Sequence, residues 1–173
     1  IIKGFMPDLV SHAASAFVFR NIFLKLKSCQ GNYFLMVIFG VFLPDFVSRG
    51  CIVIIPEFFL VSQFFHTPFA CFFQTLIISC LFVREQRLNV FTGITFGWIL
   101  HQLFDAFQIT VGPGNYYYFW PLFDQALSLN IFLAGNWMYV AIITTLVAIL
   151  THQKTILWLK RRLDRKKVNS AKN

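Results

Sequence analysis

Asp8, His12, Asp45, His66, His101 and Asp105 are ionisable residues set in a chain that is otherwise largely apolar. Hydrocarbon tolerates such groups poorly, so each of them must be paired, capped or put to use. His101 and Asp105 are spaced i, i+4, and so are Asp8 and His12. In a helix each pair shares one face and can direct both side chains into one cavity. Imidazole and carboxylate are ligands that Zn2+, Mn2+ and Fe2+ accept, and coordination offsets the cost of burying charge. The set therefore predicts a divalent metal centre, with Zn2+ the first expectation. In that centre His12, His66 and His101 supply nitrogen, and Asp45 or Asp105 completes the shell. The remaining aspartate serves as a base or orients an imidazole. Asp8, beside Pro7, is a sixth metal candidate whose plainer reading is a helix-dipole partner. Taken singly, each residue could be only a helix cap or the partner of a backbone carbonyl. The intramembrane pair His101 and Asp105, taken with His66, favours function. His152, next to a basic tail, reads as an interfacial residue without a chemical role.

The elements that must position these residues are read from hydropathy. Of 173 residues, 57% are hydrophobic and only 13% charged, with a mean hydropathy of +0.65. A soluble domain with a wet surface does not have this composition. The expected fold is all-α: one polytopic transmembrane bundle of about five helices, each crossing using roughly 20 residues. The membrane segments are read at 9–24, 32–45, 67–83, 89–111 and 131–151, followed by a basic tail over 152–173. Pro44 is expected to interrupt the second segment and leave Asp45 at a broken helix end. The stretch from Cys51 to Phe65, with Pro56, Glu57 and Gln63, reads as a re-entrant or interfacial piece. Thr67 and Pro68 read as N-cap and first turn of a helix. Gly112-Pro113-Gly114 is the expected stop of the helix that carries His101. The aromatic run from Tyr116 to Trp120 suits a membrane interface.

The net charge of +8 does not point to nucleic acid, because the basic residues gather after an apolar span, at Lys160-Arg161-Arg162 and Arg165-Lys166-Lys167. They read as a juxtamembrane anchor. Cys29, Cys51, Cys71 and Cys80 form no CxxC pair and set no redox compartment. Placing the tail, Arg84 with Arg87, and Lys25 with Lys27 on the cytoplasmic side gives a multi-pass cell-membrane protein with a cytoplasmic C-terminal tail. That topology puts Asp8, His12, Asp45 and His66 near outer helix ends. Asp105, seven helical rises or roughly 10 Å from Gly112, is then submerged, with His101 about one turn deeper.

The order of motifs resembles the membrane-bound metal-dependent hydrolase family, in its short archaeal and bacterial form. The resemblance rests on Met6-Pro7-Asp8 with Ser11-His12, Gly40 to Leu43 leading into Pro44-Asp45, His66-Thr67-Pro68, Gly97 with His101 and Asp105, and Trp120-Pro121-Leu122. It covers nearly the whole chain up to the last helix. It implies a helical membrane protein, a divalent metal and a hydrolytic activity, with His12, Asp45, His66, His101 and Asp105 as the core constellation and Asp8 as a further member. Phe46-Val47-Ser48-Arg49 follows the Pro-Asp motif where many members carry additional histidine or charged residues, which counts against a two-metal site. His101-xxx-Asp105 is also similar to the last motif of the membrane phosphatidic-acid phosphatases. That family requires an arginine where this chain has Thr95, and no Pro-Ser-Gly-His occurs.

A site just under the outer leaflet is open to amphipathic molecules. The expected partners are membrane lipids and a lipid-like or small-molecule substrate, a lipid or lipid-linked ester or phosphoester, hydrolysed by activated water with Asp45 or Asp105 in the catalytic role. The alternative from another class is a transporter or metal-handling protein using the same cluster as a transit site. Such a path needs polar groups at several depths, and in the inner half only Arg20, Asn21 and Gln74 are candidates.

Overall fold

A computed structural model describes residues 9–23, 32–109, 122, 129, 131–133 and 136–170. The described residues are mostly helical: α1 (Leu9–Phe23), α2 (Asn32–Ile54), α3 (Phe59–Phe64), α4 (Pro68–Cys80), α5 (Arg84–Ala106) and α6 (Trp137–Ser170). A single 3-10 turn, Pro56–Phe58, precedes α3. Two short strands, β1 (Gln108–Ile109) and β2 (Phe132–Leu133), pair in parallel, Gln108 opposite Phe132 and Ile109 opposite Leu133.

Three helices depart from the sequence expectations. Pro44 does not break the second helix: α2 runs through it to Ile54, a length of 23 residues. Proline removes one i to i−4 bond and crowds the carbonyl four residues back, but packing against α5 holds the helix together. Residues 51–54 therefore belong to α2, and only a 3-10 turn and the short α3 link it to the turn before α4. The helix bearing His101 starts at Arg84 rather than at 89, because the chain turns within Leu81–Val83 and Glu85 sits favourably in its first turn. It also ends at Ala106, where Leu129 donates to the Ala106 carbonyl and Ile131 and Phe132 donate to that of Phe107. Asp105 is thus in the last turn of α5 and not seven rises below its end. The last helix begins at Trp137, after β2, rather than at 131, and stays helical through the basic residues to Ser170.

Among the described residues, two helices are long and apolar enough to cross a bilayer: α2, and the part of α6 from Met138 to Trp158. At 15 and 13 residues, α1 and α4 are shorter than the roughly 20 residues a crossing uses.

The closest packing is between α2 and α5. A Cβ at Gly40 would fall on the Ile94 carbonyl, and one at Gly97 would fall on the Val37 carbonyl and come within 2.6 Å of the Val41 nitrogen. Gly93, four residues before Gly97, lies over Met36 in the same seam, 2.7 Å from a Cβ built on it to the Met36 Cβ. Such small residues at four-residue spacing let two backbones touch, the packing mode that serves where water drives no hydrophobic association. Around the seam, Leu43, Cys71, Val90, Ile94 and Trp98 form one apolar cluster, and Ala16, Phe34, Val37 and Val41 a second. The outer faces are apolar too, with Phe46, Val53, Ile77, Leu88 and Ile143 among the exposed side chains. Among the described residues a group of polar side chains, including His12, Thr75, His101 and Asp105, is buried alongside these apolar clusters.

Candidate metal centre

The buried stripe of α5 changes character along its length. Its first half is Val90, Gly93, Ile94, Gly97 and Trp98; its last half is His101, Gln102, Asp105 and Ala106. The same helical face that packs α2 through glycine delivers imidazole, amide and carboxylate one turn later.

Four elements meet there. His12 comes from the first turns of α1, Asp45 from α2, His66 from the turn before α4, and His101 and Asp105 from the end of α5. The position of His66 is fixed locally by α4: Thr67 caps that helix, its Oγ1 accepting from the Ala70 amide at 3.3 Å, with Pro68 in the first turn. His12, His101 and Asp105 are 2%, 1% and 3% exposed, and Asp45 and His66 are also buried.

The Nε2 atoms of His66 and His101 lie 2.9 Å apart. Asp105 reaches all three histidines, Oδ1 lying 3.3 Å from His12 Nε2 and Oδ2 3.1 Å from His101 Nε2 and 3.4 Å from His66 Nε2. Asp45 Oδ1 is 3.6 Å from His66 Nε2. Two overlapping triads, His12 with Asp45 and His101, and His66 with His101 and Asp105, each bring their ligand atoms within 4.8 Å of one another. Donor atoms about 2.0 Å from a common tetrahedral ion stand about 3.3 Å apart, and these separations cluster around that figure.

The donor set could hold a cation: Asp105 Oδ2 is buried beside the Nε2 atoms of two imidazoles, and the ligand atoms of each triad converge. His101 Nδ1 has no hydrogen-bond partner among the described residues. Packing orients this ring instead: it stacks on His12 with centroids 4.0 Å apart and planes at 25°, and lies 4.9 Å from the His66 ring.

The five core residues expected from the sequence are all brought together. Asp8 lies outside the described residues, as do the Gly112-Pro113-Gly114 stop and the aromatic run 116–120. Comparison with known protein families, curated proteins and solved structures finds no match to this chain. The site is therefore read from its own geometry.

Sequence reasoning missed a supporting layer. Gln102, 5% exposed, donates its amide nitrogen to the His66 carbonyl and approaches Cys71 Sγ at 3.9 Å. Gln74 donates to the Phe65 carbonyl at 3.0 Å. Together they fasten the turn that presents His66. A glutamine next to His101 was the available signal, since a buried amide is placed only where it has a partner. Arg49, one turn beyond Asp45, brings Nε to 3.4 Å from Asp45 Oδ1.

Proposed function

We propose that this protein is a membrane-embedded metal-dependent hydrolase whose centre is held by His12, His66, His101 and Asp105, with Zn2+ as the ion. The observation that carries the reading is the convergence of three imidazole nitrogens and two carboxylates, from four separate elements, at the spacing of one ligand shell. A divalent cation bound there supplies Lewis acidity, which brings the ionisation of water toward neutral pH. Asp105 touches all three imidazoles and belongs to the shell. Asp45 is less deeply buried than Asp105, with side-chain exposures of 13% and 4%. It faces His66 and Arg49 at the rim and takes the role of general base for an incoming water. Gln102 and the stack of His12 on His101 hold the ligands in place. The motif resemblance described above points the same way.

The apolar exterior, together with α2 and α6, supports residence in a membrane. We take the chain to be multi-pass, with α1, α4 and α5 packed between or beside the two long spans and the basic end of α6 on the cytoplasmic side. The substrate is a lipid or lipid-linked ester or phosphoester, able to reach a buried centre from the bilayer.

A transit site is less well supported. The polar residues that would have extended a path away from the cluster are engaged in joining parts of the fold: Asn21 bonds the Ala148 carbonyl and Thr151 Oγ1 of α6, Arg20 stacks over the Phe34 ring at 4.7 Å, and Gln74 holds Phe65.

The test is turnover of chromogenic esters and phosphoesters by protein purified in detergent, before and after chelation and with Zn2+ restored. Activity should vanish on chelation and return with metal. Replacing His101 by alanine should lower kcat/KM by about a hundredfold or more, with the helical circular dichroism intact. Turnover unchanged by chelation would defeat the reading.

A further inference from the structure

On α5 three buried polar atoms find no hydrogen-bond partner among the described residues: Thr95 Oγ1, Trp98 Nε1 and His101 Nδ1. They stand at successive three-residue steps of one helix, so each side chain leans back toward the one before it. Thr95 leaves unused a bond that a helix offers its own threonines. Thr75, Thr92, Thr144 and Thr151 each donate to the carbonyl four residues back, at 2.7 to 2.8 Å, whereas Thr95 forms no such bond to Phe91. Trp98, 9% exposed, packs among Leu43, Val90 and Ile94, side chains that cannot accept from its indole N–H. The stack of His101 on His12 sets the plane of that ring and leaves Nδ1 to be satisfied.

The chemistry of the row selects its ligand. An indole N–H only donates, a hydroxyl does both, and an imidazole nitrogen does one or the other according to its tautomer. The ligand must therefore accept as well as donate. It must also be small and neutral, because an unpaired ion costs far more to bury than an uncharged molecule. Water meets all of these conditions, and buried water is characteristically held by polar groups that the protein itself leaves unsatisfied. Six helical rises, about 9 Å, separate Thr95 from His101, so a short file of water spans the row better than one molecule.

We propose that ordered water lies along this row, accepting from Trp98 Nε1 and partnering Thr95 Oγ1 and His101 Nδ1, and that Trp98 is through it a positioning residue for the His101 ring. The positioning role rests on the metal-centre reading, since a metal-bound imidazole is fixed by the partner of its other nitrogen. The water site stands on the three atoms alone.

The experiment uses the full chain in detergent, with indole-15N tryptophan and added Zn2+. The Trp98 resonance is the one missing from Trp98→Phe, and its indole proton should show a rotating-frame Overhauser contact with water. Thr95→Val, which keeps the shape and drops the hydroxyl, should diminish that contact. Trp98→Phe, which keeps an aromatic ring and loses the N–H, should weaken Zn2+ binding about tenfold, measured by competition with a chromogenic chelator. Ile94→Val trims the same apolar cluster without touching a polar atom and should leave the affinity unchanged. A folded wild type whose Trp98 indole proton shows no contact with water would overturn the water site, and an undiminished contact in Thr95→Val would strike Thr95 from it. Equal Zn2+ affinity in Trp98→Phe and the wild type, or an equal loss in Ile94→Val, would overturn the positioning role. A chain that takes up no Zn2+ yet shows the water contact would defeat the metal-centre reading, and the positioning role with it, while upholding the water site.

Discussion

The pair α2 and α5 and the pair α1 and α6 are joined in different ways. Between α2 and α5 the contact is backbone on backbone, with Gly40, Gly93 and Gly97 leaving no room for a methyl group. Between α1 and α6, Asn21 forms a polar tie, reaching across to Ala148 and Thr151, and α6 presents Ile142, Leu146, Ile149 and Leu150 outward. Donor atoms that must share one ion tolerate errors of only a few tenths of an ångström, so the seam that carries Asp45, His101 and Asp105 is built without slack. The α1–α6 pair shows no such backbone seam among the described residues, and the Asn21 amide helps to register it.

Four substitutions would break or sharpen this contrast. The largest effect is expected from His101→Ala, which removes the ligand common to both triads and with it metal and turnover. Gly97→Leu should come next. It drives a side chain into the Val37 carbonyl and the Val41 nitrogen, costs about 3 kcal/mol or more, and separates Asp45 from Asp105. Loss of bound metal together with a fall in thermal midpoint would be seen, and an unaltered metal content would show that the seam does not set the site. Gln102→Ala leaves every ligand in place but releases the His66 carbonyl, so metal affinity should weaken about tenfold, measured by competition with a chromogenic chelator. The smallest effect belongs to Asn21→Leu, which should cost about 0.6 kcal/mol in thermal unfolding and leave metal affinity alone. If Asn21→Leu weakened metal binding as much as Gln102→Ala, the two helix pairs would not be independent.

The sequence was most legible where local chemistry and tertiary need agree. Thr67 followed by Pro68 is a helix start by its own hydrogen bonding, and α4 begins there. His101 and Asp105 were legible because lipid makes an idle ionisable pair expensive and because four-residue spacing puts both on one face. Pro44 misled because a proline is a local breaker, while the glycine seam that carries α2 past it is a property of two helices. Its signal, Gly93 and Gly97 at four-residue spacing, was present in the sequence. The end of α5 was misjudged for a similar reason. Gly112-Pro113-Gly114 is a strong local stop, but the chain leaves the helix at Phe107, where it meets residues 129–132 from a distant stretch. The amide of Gln102 and the guanidinium of Arg49 have meaning only once His66 and Asp45 are beside them.

Elemental analysis of the detergent-purified protein, prepared without chelators, tests the central claim most directly. The account predicts about one transition-metal ion per chain, zinc first among them. Protein that is folded and helical yet carries less than about a tenth of an equivalent, and takes up none when Zn2+ is offered, would contradict it.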